Sequence, residues 1–233
     1  MPDLALVIFD CDGVLVDSEP VANRVFCSML NELGLNVTLE YMYEHFVGLS
    51  MPQCMERVAG MLGAPPPADF VARLQMSTEA ALRGVEPIAG VPEVLDAIRI
   101  PFCVASSGGH AKIRLTLGES GLLERFTGRI YSVADVAKPK PAPDIFLHAA
   151  RAMRADPAGC AVIEDTPTGV RAGVAAGMHV FGFCAHTPAQ RLTQAGAHAV
   201  FDDMRVLPQL LLEVTRQGSC GGSNANGARL NGT

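Results

Sequence analysis

A chain of 233 residues, 49% apolar and 18% charged, carries enough apolar side chain for one large domain or two modest ones. Its formal net charge of −6, with no Lys/Arg cluster, excludes nucleic acid and anionic membrane as main partners. No apolar run approaches the ~18 residues of a membrane span, Asp3 and Asp10 interrupt the N-terminus so that no secretory signal pattern is present, and seven scattered cysteines without a C-x-x-C pair read as buried thiols of a reducing cytoplasm.

In chain order, Leu4 to Phe9 is a continuous apolar run, the pattern of a strand buried on both faces of a parallel sheet. Its carboxyl end delivers Asp10 and Asp12, then Gly13, to the crevice above the sheet edge where open α/β sheets bind ligands. Two carboxylates so close repel each other unless a cation or a proton lies between them. The stretch therefore reads either as a hard-metal site in which one carboxylate also does chemistry, or as a solvated strand-to-loop turn, where Asp and Gly are common. A calcium loop of the Asp-x-Asp-x-Asp-Gly type does not fit. Gly13 comes two positions early, and Val21 stands where that loop needs its final Glu.

From Pro20 to Gly34 the apolar residues recur at helical spacing, with proline suited to the first turn and glycine to the C-cap. Tyr41–Val47, Pro52–Leu62 and Ala68–Leu82 continue in the same way, so residues 18–85 are expected to form an all-helical insert. From Gly90 the rhythm changes. Helices over Pro92–Ile98, Lys112–Ser120, Asp144–Met153 and Gly169–Ala176 alternate with strands over Phe102–Ala105, Gly128–Ser132, Cys160–Ile163, His179–Phe183 and Ala199–Phe201. Such alternation implies a parallel sheet with crossover helices. The expected architecture is an α/β doubly wound core, residues 1–17 and 86–216, split by a helical cap, residues 18–85. Gln217–Thr233, rich in Gly, Ser and Asn, reads as a flexible tail.

Three further segments carry chemistry. Ser106-Ser107-Gly108-Gly109 follows a strand and precedes a helix, which suits either an anion cradle of backbone N–H groups or an ordinary N-cap. Lys138-Pro139-Lys140-Pro141 is a rigid loop bearing fixed positive charge, and the chain has only one other lysine, Lys112. Val162-Ile163 ends in Glu164-Asp165. With Asp10 and Asp12 these make four acidic residues at two strand ends, the oxygen-rich set that Mg²⁺ takes.

In order and in wording, the stretches FDCDGVLVDSE, Ser106, Lys140-Pro141-x-Pro143-Asp144-x-Phe146 and Glu164-Asp165 resemble the four motifs of haloacid dehalogenase-like hydrolases, in their phosphatase and phosphomutase branch. The resemblance spans roughly residues 4–215. It implies a phosphatase of small phosphorylated metabolites, monomeric or weakly dimeric, with Mg²⁺ as cofactor. In those terms Asp10 is the nucleophile that becomes an aspartyl phosphate, and Asp12 the general acid/base. Ser106, Ser107 and Lys140 bind the phosphoryl group, and Asp10, Asp12, Glu164 and Asp165 hold the metal. Asp12 and the Glu164-Asp165 pair argue against dehalogenase chemistry. The absence of any lysine before Lys112 removes the Schiff base that a phosphonoacetaldehyde hydrolase needs.

The β-phosphoglucomutases are nearer, but where their cap has a His and a distal-phosphate Arg this chain has Ala22 and Met51, so hydrolysis is expected rather than interconversion. The core wording is similar to that of sugar-phosphate phosphatases acting on 6-phosphogluconate-like compounds. A catalytically silent binding module is the remaining alternative, which retention of all four motifs opposes. The cap sets the leaving group, and its candidate contacts are Asn23, Arg24, His45, Ser50, Gln53 and Arg57.

Overall fold

The computed structural model describes residues 4–46, 49 and 51–220, the last five by backbone alone. The apolar run forms β1 (Leu6–Phe9), with every side chain buried. The chain then leaves the sheet for α1 (Glu19–Glu32), α2 (Leu39–His45), α3 (Met51–Leu62) and α4 (Phe70–Ala81). It returns through α5 (Val91–Ala97) into regular alternation: β2 (Phe102–Ser106), α6 (His110–Glu119), β3 (Ile130–Ser132), α7 (Asp144–Ala152), β4 (Cys160–Glu164), α8 (Pro167–Ala175), β5 (His179–Phe183), α9 (Ala189–Gln194), β6 (Ala199–Phe201) and α10 (Leu207–Cys220).

All strand pairs are parallel, in the order β3-β2-β1-β4-β5-β6. The order reverses between β1 and β4, where Ile8 sits opposite Val162. At such a reversal the connections on either side diverge and leave a crevice beyond the carboxyl ends of the strands. Asp10 follows β1 and Glu164 closes β4, so the topology itself brings both acidic pairs to one crevice.

Alternate side chains of each strand supply the two faces of the core. Val7, Phe9, Val104 and Ile163 pack with Ile113 and Leu117 of α6 and Leu211 of α10. Leu6, Ile8, Cys103 and Val162 pack with Ile145 and Phe146 of α7 and Val170 of α8. The inserted helices bury a third cluster of their own, including Phe26, Leu30, Met42, Phe46, Val58 and Leu74. Phe26 and Phe46 meet edge to face with centroids 5.2 Å apart. The segments entering and leaving the insert are tied together, Ile88 N–H donating to Leu15 O and Asp17 N–H to Glu86 O, each at 3.0 Å. The architecture is the expected doubly wound core with a helical cap.

Two helices depart from the sequence reading. α9 was not expected, and α10 runs to Cys220, past the residue where the tail was placed. Leu207, Leu211 and Val214 bury the inner face of α10, and packing carries the helix into a stretch whose composition alone favours none.

Candidate active site

Asp10, Ser106, Glu164 and Asp165 are all buried although polar, and all sit at carboxyl ends of neighbouring strands. Lys140 arrives from the loop before α7, which it reaches through a cis peptide bond to Pro141. Its Nζ donates to Asp10 Oδ1 at 2.6 Å, to Glu164 Oε1 at 2.7 Å and to the Ala105 carbonyl at 3.2 Å. An ammonium has three protons. All three are engaged, so Lys140 offers a bound anion close-range charge rather than a spare donor. The Phe146 ring, one turn into α7, lies 4.8 Å from the same Nζ. Lys138 is exposed.

Glu164 has both oxygens occupied. Oε1 accepts from Lys140, and Oε2 accepts from Thr166 N–H at 3.1 Å and Thr166 Oγ1 at 2.9 Å. Thr166 in turn caps α8, accepting from Gly169 N–H at 3.1 Å. Asp165 differs: its Oδ1 is buried and has no protein partner, and the same holds for Asp12 Oδ1. Ligand oxygens of Asp10, Glu164 and Asp165 lie within 4.8 Å of one another. Asp12 is not among them. Its Oδ2 is held at 2.8 Å by Lys112 Nζ from the first turn of α6, a residue not expected at the site. The four carboxylates therefore divide into a cluster of three and one carboxylate on its own cation.

Electrostatics follow from burial. Burial pushes the Asp10 carboxyl up to about 7; the Lys140 charge opposes this and Glu164 adds to it. Burial, then the charges of Glu164 and Asp10, drive Asp165 well above the usual carboxylate range. Lys140 is disfavoured by burial, yet Asp10 and Glu164 hold it above an ordinary lysine. One ammonium among three buried carboxylates leaves negative charge uncompensated, and an unpartnered buried oxygen costs about 1–3 kcal/mol. A hard divalent cation on the free oxygens would relieve both, so the residues fit Mg²⁺. Two glycines leave the carboxylates their room. Gly13 has φ +77°, and a Cβ there would lie 2.2 Å from Asp165 Oδ2; a Cβ at Gly169 would lie 1.7 Å from Glu164 Oε1.

Ser106 Oγ accepts from Gly108 N–H at 3.1 Å and stays free to donate, while Ser107 is exposed at the cavity wall. These residues line a cavity of about 910 Å³, whose walls also include Arg171 of α8 and Arg191 of α9.

The cap residues fare unevenly. Asn23 and Gln53 line cavities at the core. The His45 ring lies tilted against Tyr41 with centroids 4.2 Å apart and Arg57 lies 5.9 Å from the Phe46 centroid; neither lines the phosphoryl-site cavity or its neighbour, and Arg24 is exposed. Ser50 lies outside the described residues.

The family model for haloacid dehalogenase-like hydrolases matches residues 4–177, and the chain belongs to that family. A 6-phosphogluconate phosphatase of Escherichia coli is 33% identical over 190 residues, 79% of this chain and 85% of that protein. A haloacid dehalogenase-like protein of unknown function from Agrobacterium tumefaciens superposes with a TM-score of 0.83 at 36% identity, covering 91% of this chain and 99% of that one. A hydrolase of the same family from Deinococcus radiodurans, solved with bound phosphate and sodium, gives 0.77 at 34% identity, covering 92% and 97%.

Proposed function

We propose that the protein is a Mg²⁺-dependent phosphomonoester hydrolase acting on a small phosphorylated metabolite through a covalent intermediate on Asp10. The observation that carries this reading is the contact of Lys140 Nζ with Asp10 Oδ1 at 2.6 Å beside an unpartnered Asp165 Oδ1. A buried carboxylate flanked by fixed positive charge and free hard-oxygen ligands suits attack on phosphorus better than it suits packing.

An Asp10 oxygen attacks phosphorus in line while the ester P–O bond breaks. Asp12 gives its proton to the departing alkoxide. Water then attacks the phosphoaspartate, Asp12 takes the proton back, and phosphate leaves with Asp10 restored. Ser106 donates to an equatorial oxygen, and Lys140 supplies charge beside the site, with Glu164 holding its ammonium in place. Mg²⁺, held by Asp10 and Asp165 with Glu164 and Asp12 beside them, would neutralise the gathering phosphate charge. Assay of p-nitrophenyl phosphate with Mg²⁺, with chelator, and with Asp10→Asn tests the proposal. Phosphate release confined to the wild type with metal is expected; equal rates with chelator, or in the variant, would refute it.

A further inference from the structure

A second cavity, about 620 Å³, adjoins the phosphoryl site and lies between the cap and the loop after β2. The two cavities share Asp12, Glu19, Leu49 and Ser107 on their walls. On the hydrolase reading, on which this inference rests, a leaving group protonated by Asp12 passes into the second cavity. Its volume falls within the range of small-ligand sites.

The charges on its walls are lopsided. Among the described residues lining it, the acidic and basic side chains are Asp12, Glu19, Glu79 and Lys112. Lys112 is already committed to Asp12 at 2.8 Å. That leaves Glu19 and Glu79 with no cation among the lining residues. Asn23 Nδ2 approaches Glu19 Oε2 at 3.5 Å and Gln75 Nε2 donates to Glu79 Oε1 at 3.3 Å, so both carboxylates are presented by neutral amides. The remaining walls include Phe26 and Leu74. Ionised carboxylates only accept hydrogen bonds. Hydroxyl groups donate to them, whereas a second anion meets the like charge of Glu79, which has no cation among the lining residues to offset it.

We infer that the leaving group is an uncharged polyol or sugar, its hydroxyls read by Glu19 and Glu79, and that Glu79 excludes substrates bearing a second anion. The cations Arg171 and Arg191 line the other cavity and are absent from the walls of this one, so a sugar acid would have to reach there instead.

D-Glucitol 6-phosphate and 6-phospho-D-gluconate test this as a matched pair, since they share chain length and differ by a CH₂OH in place of a carboxylate. With the full chain and Mg²⁺, kcat/KM for the polyol phosphate is expected to exceed that for the acid at least about tenfold, from like charges roughly 5 Å apart at an effective dielectric of ~20. Glu79→Gln should narrow the ratio and Glu79→Lys narrow it further by raising turnover of the acid. A wild type that prefers the acid, a ratio indifferent to both Glu79 variants, or a preference that collapses in Arg171→Ala would each overturn the inference. If p-nitrophenyl phosphate is hydrolysed but neither the polyol phosphate nor glucose 6-phosphate is, this inference alone fails. If none of the three is hydrolysed, the hydrolase reading fails and takes this inference with it.

Discussion

At the scale of single residues, the two lysines of the Pro-rich loop separate sharply. Lys140 is buried against Asp10 and Glu164, while Lys138 faces solvent. Removing one partner of a buried, hydrogen-bonded charge pair costs roughly 3–5 kcal/mol, whereas an exposed lysine contributes almost nothing. Lys140→Ala is expected to lower kcat/KM by at least about a thousandfold and Lys138→Ala by less than about threefold; interchangeable kinetics would refute the assignment. Lys112 makes the complementary case. It fixes one oxygen of Asp12 and leaves the other without a protein partner. Lys112→Met should therefore cost a sugar phosphate more kcat than p-nitrophenyl phosphate, whose leaving group needs no proton, with Lys112→Arg restoring part of the difference. Equal losses on the two substrates would mean that Lys112 supports the fold rather than the position of Asp12. The sequence offered no sign of this residue's role. It lies in the first turn of α6, 100 positions from its partner, and only the parallel pairing of β1 with β2 brings the two together.

At the scale of elements, strand ends and helix starts carry the site, and these were the legible parts. The apolar runs of β1 and β4 stop where buried carboxylates begin, because no packing demand explains Asp or Glu there. Helices whose only signal is a short inner face were not legible. α9 spans six residues, and α10 buries Leu207, Leu211 and Val214 in front of a Gly/Ser-rich stretch. The cap contacts were equally hidden, since His45 and Arg57 are satisfied by the neighbouring aromatics Tyr41 and Phe46. The α8 start shows how a helix can serve chemistry. Propensity alone makes Gly→Ala within a helix favourable by about 1 kcal/mol. At Gly169 a Cβ would lie 1.7 Å from Glu164 Oε1, an overlap far too close for that gain to offset. Gly169→Ala should thus lower both Tm and kcat, the latter by displacing the carboxylate that orients Lys140. Unchanged activity with a raised Tm would show that Glu164 is not confined by α8.

At the scale of the whole molecule, the sheet separates catalysis at one end from stability elsewhere. His179 opens β5 at the amino end of the sheet, stacked on His198 with centroids 4.2 Å apart and with Nδ1 buried and unpartnered. Burial, helped by His198, lowers its pKa from 6.5 to about 4. Between those values the unfolded chain binds the proton and the folded one does not, so this residue's share of stability is complete above pH 6.5 and is lost as pH falls towards 4. His179→Phe keeps the stack and should flatten the decline of Tm between pH 7 and pH 4.5; an unaltered decline would contradict this. At the opposite end, the order reversal between β1 and β4 gathers groups far apart in sequence, and the central claim is that one of them, Asp10, becomes covalently phosphorylated.

The measurement that tests this most directly is chemical trapping during turnover. Wild-type protein hydrolysing p-nitrophenyl phosphate with Mg²⁺ is quenched in acid, reduced with borohydride and digested, and the peptide holding residue 10 is weighed. Reduction converts an acyl phosphate, but not a free carboxylate, into an alcohol. Conversion of Asp10 to homoserine in the turning-over sample and not in the substrate-free control is the predicted result. Phosphate release across the whole quench series with Asp10 unreduced would contradict it.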